Sequence, residues 1–224
     1  VARAAIHSAL VSRKPVAKTP QLLVAKLGGS LAGSPELTAW LAALDRFGGP
    51  LILVPGGGAF ADTVRDMQEK MRCDDAAAHH MALLAMEQYG VALAALWPRL
   101  FCAATPAAIR HALRLKQVAC WAPAAMVLDS DLPKSWEVTS DTLSAWLAKK
   151  LGAKKLLLIK SVDTGSKLHV GVDELVNAGM VDPLFPRYAA KGGAEIFIAG
   201  PSWLASATSI LAQGQVPGTR VRLA

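Results

Sequence analysis

Short apolar runs that end in glycine, each followed by a helical pattern, most tightly limit what this chain can fold into. "LLVAKLGGSLAGS" at 22–34 and "LILVPGGGAFADTVRD" at 51–66 are the clearest cases. The spacing predicts strands over 22–27, 51–54, 100–103, 118–121, 155–160, 195–199 and 219–223. Helical patterns lie between them, over 35–47, 59–71, 75–96, 105–115, 140–151, 172–178 and 202–213. Strands interleaved with helices of this length argue an α/β protein: an open, mostly parallel sheet covered on both faces, in three α/β/α layers. The stretch 122–138, rich in proline and polar residues, reads as a crossing between two lobes, and no repeat or low-complexity tract interrupts the pattern.

Composition narrows the class. With 224 residues, 53% of them hydrophobic, the chain can build one sizeable core and only with difficulty two. No apolar run approaches the roughly 18–20 residues that span a bilayer, so no membrane partner is expected. Cys73, Cys102 and Cys120 are odd in number and scattered, which predicts neither a disulfide framework nor a zinc site and makes a reducing cytoplasm the default. The net charge of +7 is uneven: residues 1–20 hold Arg3, Arg13, Lys14 and Lys18 and no acid. Without aromatic interleaving or a known module this arm predicts no nucleic-acid partner. Its Ala/Arg/Ser character is loosely that of a transit peptide, and it is read as a basic, disordered leader before one domain at 21–224.

The glycine loops carry the chemistry. After the buried run Leu22–Ala25 comes Lys26, then Gly28, Gly29 and Ser30: bare backbone N–H groups beside one fixed positive charge, a combination suited to an anion such as phosphate. A tight strand-to-helix turn with a snorkelling lysine explains that stretch equally well. Gly56, Gly57 and Gly58 close the second strand at the start of a helix, where a ligand can approach the backbone. Gly56-x-Gly58-x-x-Ala61 meets the degenerate dinucleotide pattern, but the required acid about 20 residues on falls in a polar helix and its exit, so that reading fails. Neither loop is a Walker motif. In "WEVTSDTLSAW", Thr139 or Ser140 is a helix N-cap and Asp141 sits in the first turn. Compensation of the helix dipole is the plain role for Asp141; orienting lysines around a transferring phosphoryl group is the sharper one.

Lys26-x-Gly28-Gly29-Ser30, Pro55-Gly56-Gly57-Gly58, Thr139-Ser140-Asp141 and "LLLIKSVD" at 156–163, in that order, resemble the amino acid kinase superfamily over about residues 21–224. The closing "GQVPGTRV" resembles that family's final hairpin. The resemblance implies the amino acid kinase (carbamate kinase-like) fold, with an acceptor lobe at about 21–130 and a nucleotide lobe at about 131–224. It implies an ATP- and Mg²⁺-dependent kinase in which Lys26 neutralises the transferring phosphoryl group and Asp141 positions Lys26. Gly28, Gly29 and Ser30 would donate to nucleotide phosphates, and Thr139, Ser140, Lys160, Ser161 and Asp163 would serve the nucleotide side. Gly56, Gly57 and Gly58 would hold the acceptor. Either Lys160 or Lys191 is the second catalytic cation. Thr164 stands where the family's V-D-G would continue.

The acceptor is read from departures. Isopentenyl phosphate kinases carry a histidine after the glycines where this chain has Ala59-Phe60-Ala61-Asp62, and uridylate kinases carry Asp-His-Met where it has His79-His80-Met81. "PGGGAFADTVRDMQ", "HHMALLAMEQYG" and "LPKSWEVTSD" are most similar to the aminomethylfuranmethyl phosphate kinases of methanogens and methylotrophs, which implies a small phosphomonoester acceptor in methanofuran-type cofactor synthesis. Asp62 or Asp75 could meet an aminomethyl cation. Adjacent helical residues point roughly 100° apart, so His79 and His80 make no shared metal site; one belongs in the acceptor wall and the other at the surface. Trp40, Trp97, Trp136, Trp146 and Trp203 read as core or interface. Met81, Leu84, Ala85 and Gln88 read as helix packing, within the chain or across a dimer, and a homo-oligomer is expected. A uridylate kinase-like enzyme and a non-catalytic nucleotide-binding storage or regulatory protein are the alternatives, and turnover of ATP separates the latter from a kinase.

Overall fold

The computed structural model describes residues 21–165 and 168–223, so the expected leader at 1–20 lies outside the described residues. The chain runs β1 (Leu23–Leu27), α1 (Pro35–Asp45), β2 (Leu51–Pro55), α2 (Gly58–Met71), α3 (Asp75–Leu96), β3 (Leu100–Ala103), α4 (Pro106–Arg114), β4 (Val118–Trp121) and α5 (Ala124–Leu128). It continues α6 (Ser140–Leu151), β5 (Lys155–Ile159), β6 (His169–Gly171), α7 (Val172–Asn177), α8 (Phe185–Ala190), β7 (Glu195–Ala199), α9 (Leu204–Ala212) and β8 (Thr219–Arg222). Single 3-10 turns sit at Gly29–Leu31 and Pro201–Trp203.

One eight-stranded sheet has the order β3-β4-β2-β1-β5-β7-β8-β6. Every neighbouring pair is parallel except β7 with β8. Apolar runs of five residues, buried on both faces, form the centre, as parallel strands under helices require. The two-residue period sorts their side chains. Val24, Ile52, Leu156, Leu158 and Ile198 join one core with Leu143 and Leu147 of α6 and Phe185 of α8. Leu23, Ala25, Leu53, Leu157 and Ile159 join the other with Trp40 of α1, Leu93 of α3 and Leu211 of α9.

Two departures from the expected elements are instructive. α5, α8 and β6 were not anticipated because three to six residues are too few to show a period. The last helix begins at Leu204, with a 3-10 turn taking up Pro201–Trp203.

The sheet order fixes where ligands can bind. From β1 the chain adds β2, β4 and β3 on one side, then returns to place β5 against the opposite edge of β1 and builds outward to β7, β8 and β6. Between β1 and β5 the order reverses, and the crevice beyond the carboxyl ends of such strands is where open α/β sheets bind ligands. Lys26 and Lys160 stand at that point.

Candidate active site

Strand periodicity aims Lys26. It shares the face of Val24, which α6 covers, and pairs in register with Leu158 two residues before Lys160. Both lysines therefore meet the first turn of α6. Lys26 Nζ lies 3.1 Å from Asp141 Oδ1 and Lys160 Nζ lies 2.7 Å from Asp141 Oδ2. Lys160 donates a hydrogen bond there, whereas the Lys26 contact is an ion pair without hydrogen-bond angles. Lys26 and Asp141 are 5% and 4% exposed, so the cluster is out of water. Burial alone would push the Asp141 carboxyl up, but the charges of Lys26 and Lys160 outweigh it and hold the group below its ordinary value. Burial, and then the neighbouring Lys26, pull Lys160 down to about 8 against the opposing pull of Asp141. Two cations on one buried carboxylate leave positive charge in excess, an arrangement that costs stability and suits an anion.

The glycines meet each other. A Cβ on Gly29 would lie 2.1 Å from the Gly58 nitrogen, and one on Gly56 would lie 2.3 Å from the Gly29 nitrogen. Gly58 adopts φ +54°, a left-handed conformation suited to glycine. Gly28 N and Gly56 N donate to Ile159 O and Leu27 O, so each loop is also fastened to the strand ends beneath it. Residues 57–60, at the unfilled start of α2, have backbone N–H groups with no intrahelical acceptor, and no side chain caps them. No side chain competes with an anion for these donors or for the positive end of the helix.

Beside the ion cluster lies a cavity of about 430 Å³. Gly29, Ser30, Gly57 and Gly58 line it at the loops, Leu83, Met86 and Leu143 supply apolar wall, and Asp62, Arg65, Trp136 and His79 complete it. His79 is buried and His80 exposed. Thr139 and Ser140, expected on the nucleotide side, also line this cavity. The Thr139 hydroxyl hydrogen is committed within the protein, donating to Asp182 Oδ2 at 2.6 Å.

Other expected residues do not converge on the cluster. The Asp62 carboxylate is exposed and already paired with Arg65 at 2.8 Å. Asp75 accepts from Gln68 at 2.9 Å and does not line the cavity. Ser161, after β5, meets Ser30, after β1, with the hydroxyl oxygens 2.9 Å apart. Asp163 accepts from the Ser202 hydroxyl at 2.7 Å and anchors the turn before α9. Lys191 lies in a separate cleft with Lys149, Lys150 and Arg187, so Lys160 is the lysine that stands with Lys26. No group of three His, Cys, Asp or Glu among the described residues could hold a metal.

Sequence reasoning missed Asp182 and Arg65, and it read Trp136, which lines the cavity, as core or interface. Asp182, 7% exposed, accepts from the backbone and hydroxyl of both Thr139 and Thr142 and so fixes the start of the helix that carries Asp141. Arg65 lies 4.4 Å over the Trp136 ring at the cavity, and Trp136 Nε1 donates to Gln68 at 2.6 Å. Only the partial amphipathicity of 59–71 could have flagged Arg65; nothing local marks Asp182.

Residues 21–164 match the amino acid kinase family. The chain is 25% identical over 179 residues to the [5-(aminomethyl)furan-3-yl]methyl phosphate kinase of Methanocaldococcus jannaschii, covering 73% of this chain and 80% of that protein. The uridylate kinase of Archaeoglobus fulgidus superposes with a TM-score of 0.67 at 13% identity, over 90% of this chain and 100% of the other. An isopentenyl phosphate kinase superposes with a TM-score of 0.60 at 16% identity, over 89% of this chain and 99% of the other. The chain belongs to the amino acid kinase family and is a phosphotransferase of the kinase type.

Proposed function

We propose that the protein transfers the γ-phosphoryl group of Mg-ATP to a small phosphomonoester, an aminomethylfuranmethyl phosphate in methanofuran-type cofactor synthesis. The carrying observation is the occupied carboxylate of Asp141. Both its oxygens face lysines and its pKa is held low, so it offers no base. An alcohol acceptor needs its proton removed, whereas a phosphomonoester, with a second pKa near 6, is already an anionic nucleophile at neutral pH. The excess positive charge and free α2 N–H groups suit two phosphates brought together. The relative's activity, and the cavity's mix of apolar wall and polar ends, fit the same acceptor.

The roles follow from position. Lys26 and Lys160 neutralise charge on the transferring group, and Asp141 fixes both ammonium groups. Gly28, Gly29 and Ser30 serve the nucleotide phosphates, Gly57 and Gly58 the acceptor phosphate, and Asp62 with Arg65 the cavity's rim. Gly56 supports the loop packing, Ser161 and Asp163 shape the nucleotide side, and Thr139 and Ser140 form the wall between. Transfer of this kind is positioning plus electrostatic stabilisation. With Asp141 committed to lysines, Mg²⁺ would be held chiefly by the nucleotide's own phosphates, where it bridges and neutralises them.

Incubating the protein with Mg-ATP and four acceptors tests the reading: the aminomethylfuranmethyl phosphate, its free alcohol, uridylate and isopentenyl phosphate. ADP release should be fastest with the first and slower by orders of magnitude with the alcohol. Preference for the alcohol overturns the phosphomonoester reading, and preference for uridylate moves the protein to that specificity. A cytoplasmic homo-oligomer completes the proposal; Leu84, Val91 and Leu96 are exposed along α3, and light scattering of the purified protein measures the assembly.

A further inference from the structure

His79 has two ring nitrogens in different situations. Nδ1 lies 3.3 Å from the carbonyl oxygen of Ser135. A carbonyl can only accept, so Nδ1 carries the hydrogen of that contact. Nε2 is buried with no partner, on a side chain whose residue is 4% exposed and lines the cavity. Burial is the main influence holding the imidazole below its usual pKa, with Lys134 and His80 adding to it, so the ring is neutral. A neutral ring whose hydrogen is on Nδ1 presents a lone pair at Nε2.

Resting on the phosphomonoester reading above, we infer that His79 selects an acceptor that carries a hydrogen-bond donor, an amine or a hydroxyl, at the end remote from its phosphate. With the phosphate at Gly57 and Gly58, the acceptor's body lies along Leu83 and Met86 and its far end reaches the imidazole. A carbonyl or carboxylate there would oppose lone pair to lone pair. A methyl group would leave Nε2 buried and unsatisfied. Asp62, the earlier candidate for contacting a cation, has its charge answered by Arg65 at the exposed rim, which leaves His79 as the specificity residue inside.

The test is calorimetric binding of three furan-methyl phosphates that bear aminomethyl, hydroxymethyl or methyl at the remote position. Wild-type protein should bind the amine about tenfold to a hundredfold, and the hydroxyl about threefold to tenfold, more tightly than the methyl compound. His79→Leu should bind all three alike. His79→Gln, whose side-chain oxygen accepts, should keep the preference, with melting temperatures showing that both variants fold. Equal binding of all three by wild type overturns the inference, as does a His79→Leu variant that weakens each ligand by the same factor. If wild type binds none of them the inference falls, and the phosphomonoester reading falls with it only if the protein phosphorylates an acceptor that carries no phosphate.

Discussion

Lys26, Asp141 and Lys160 show at the scale of residues why charges are buried at a cost. A paired carboxylate would have needed one lysine; the second makes the cluster net positive and stabilises the folded state only when an anion arrives. Removing a charge aimed at developing transition-state charge typically costs about 10²–10³ in turnover. Lys26→Met should therefore fall by that factor in kcat while melting at or above the wild-type temperature. Normal turnover would reduce the lysine to a snorkelling side chain. Lys160 gives the pH dependence. Its folded-state pKa of about 8 lies below the usual lysine value, so the active charged form is lost as pH rises through 8. kcat/KM for ATP, which reports free enzyme, should decline above that pH. Lys160→Arg, whose guanidinium stays charged, should flatten the limb, and a limb that persists in that variant belongs to another group. The stability sign is opposite: between about pH 8 and 10.4 the unfolded chain binds the extra proton, so folding stability attributable to Lys160 rises with pH.

At the scale of elements, the glycine loops were legible in the sequence but their reason was incomplete. Bare N–H groups for phosphate explain part of the pattern. The loops' approach to within a Cβ's reach of one another explains why Gly29 and Gly56 cannot be other residues, and a single sequence does not show which loops touch. Gly29→Ala should separate the loops, lowering turnover and the urea midpoint together, whereas Lys26→Met lowers turnover alone. The buried runs of β1, β2 and β5 and the long helices declared themselves by period. Asp141 was recognisable through its N-cap neighbour, and its two lysines through family resemblance and order. Asp182 was not recognisable, because it lies 40 residues from Thr142 and its partners are backbone and hydroxyl groups with no sequence signature. Asp182→Ala leaves buried donors of α6 unsatisfied and should cost about 2–4 kcal/mol of stability, read from the denaturation midpoint.

Whole-molecule behaviour turns on the seam between β1 and β5. There the half of the sheet that runs to β3 meets the half that runs to β6; the lysine pair stands at the junction, and the cavity opens beside it at the loops after β1 and β2. The expected lobes at 21–130 and 131–224 thus contribute separate strands, β1 to β4 and β5 to β8, to one continuous sheet. Leu157 occupies the middle of β5, fully buried, between Ala25 of β1 and Phe197 of β7. It belongs to the same buried core as Trp40 and Leu44 of α1, from the first half, and Ala207 and Leu211 of α9, from the second. Truncating such a side chain removes about 2–5 kcal/mol. If the halves fold as one unit, Leu157→Ala should reduce hydrogen-exchange protection of the slowest amides by the same free energy in β2, at Ile52, and in β7, at Ile198. If protection falls in β7 while β2 keeps its wild-type value, the lobes are separate folding units and the seam is only an interface. Equal loss in both strands makes the β1–β5 seam the structural centre of the molecule, so that an alteration there is felt on both sides of it.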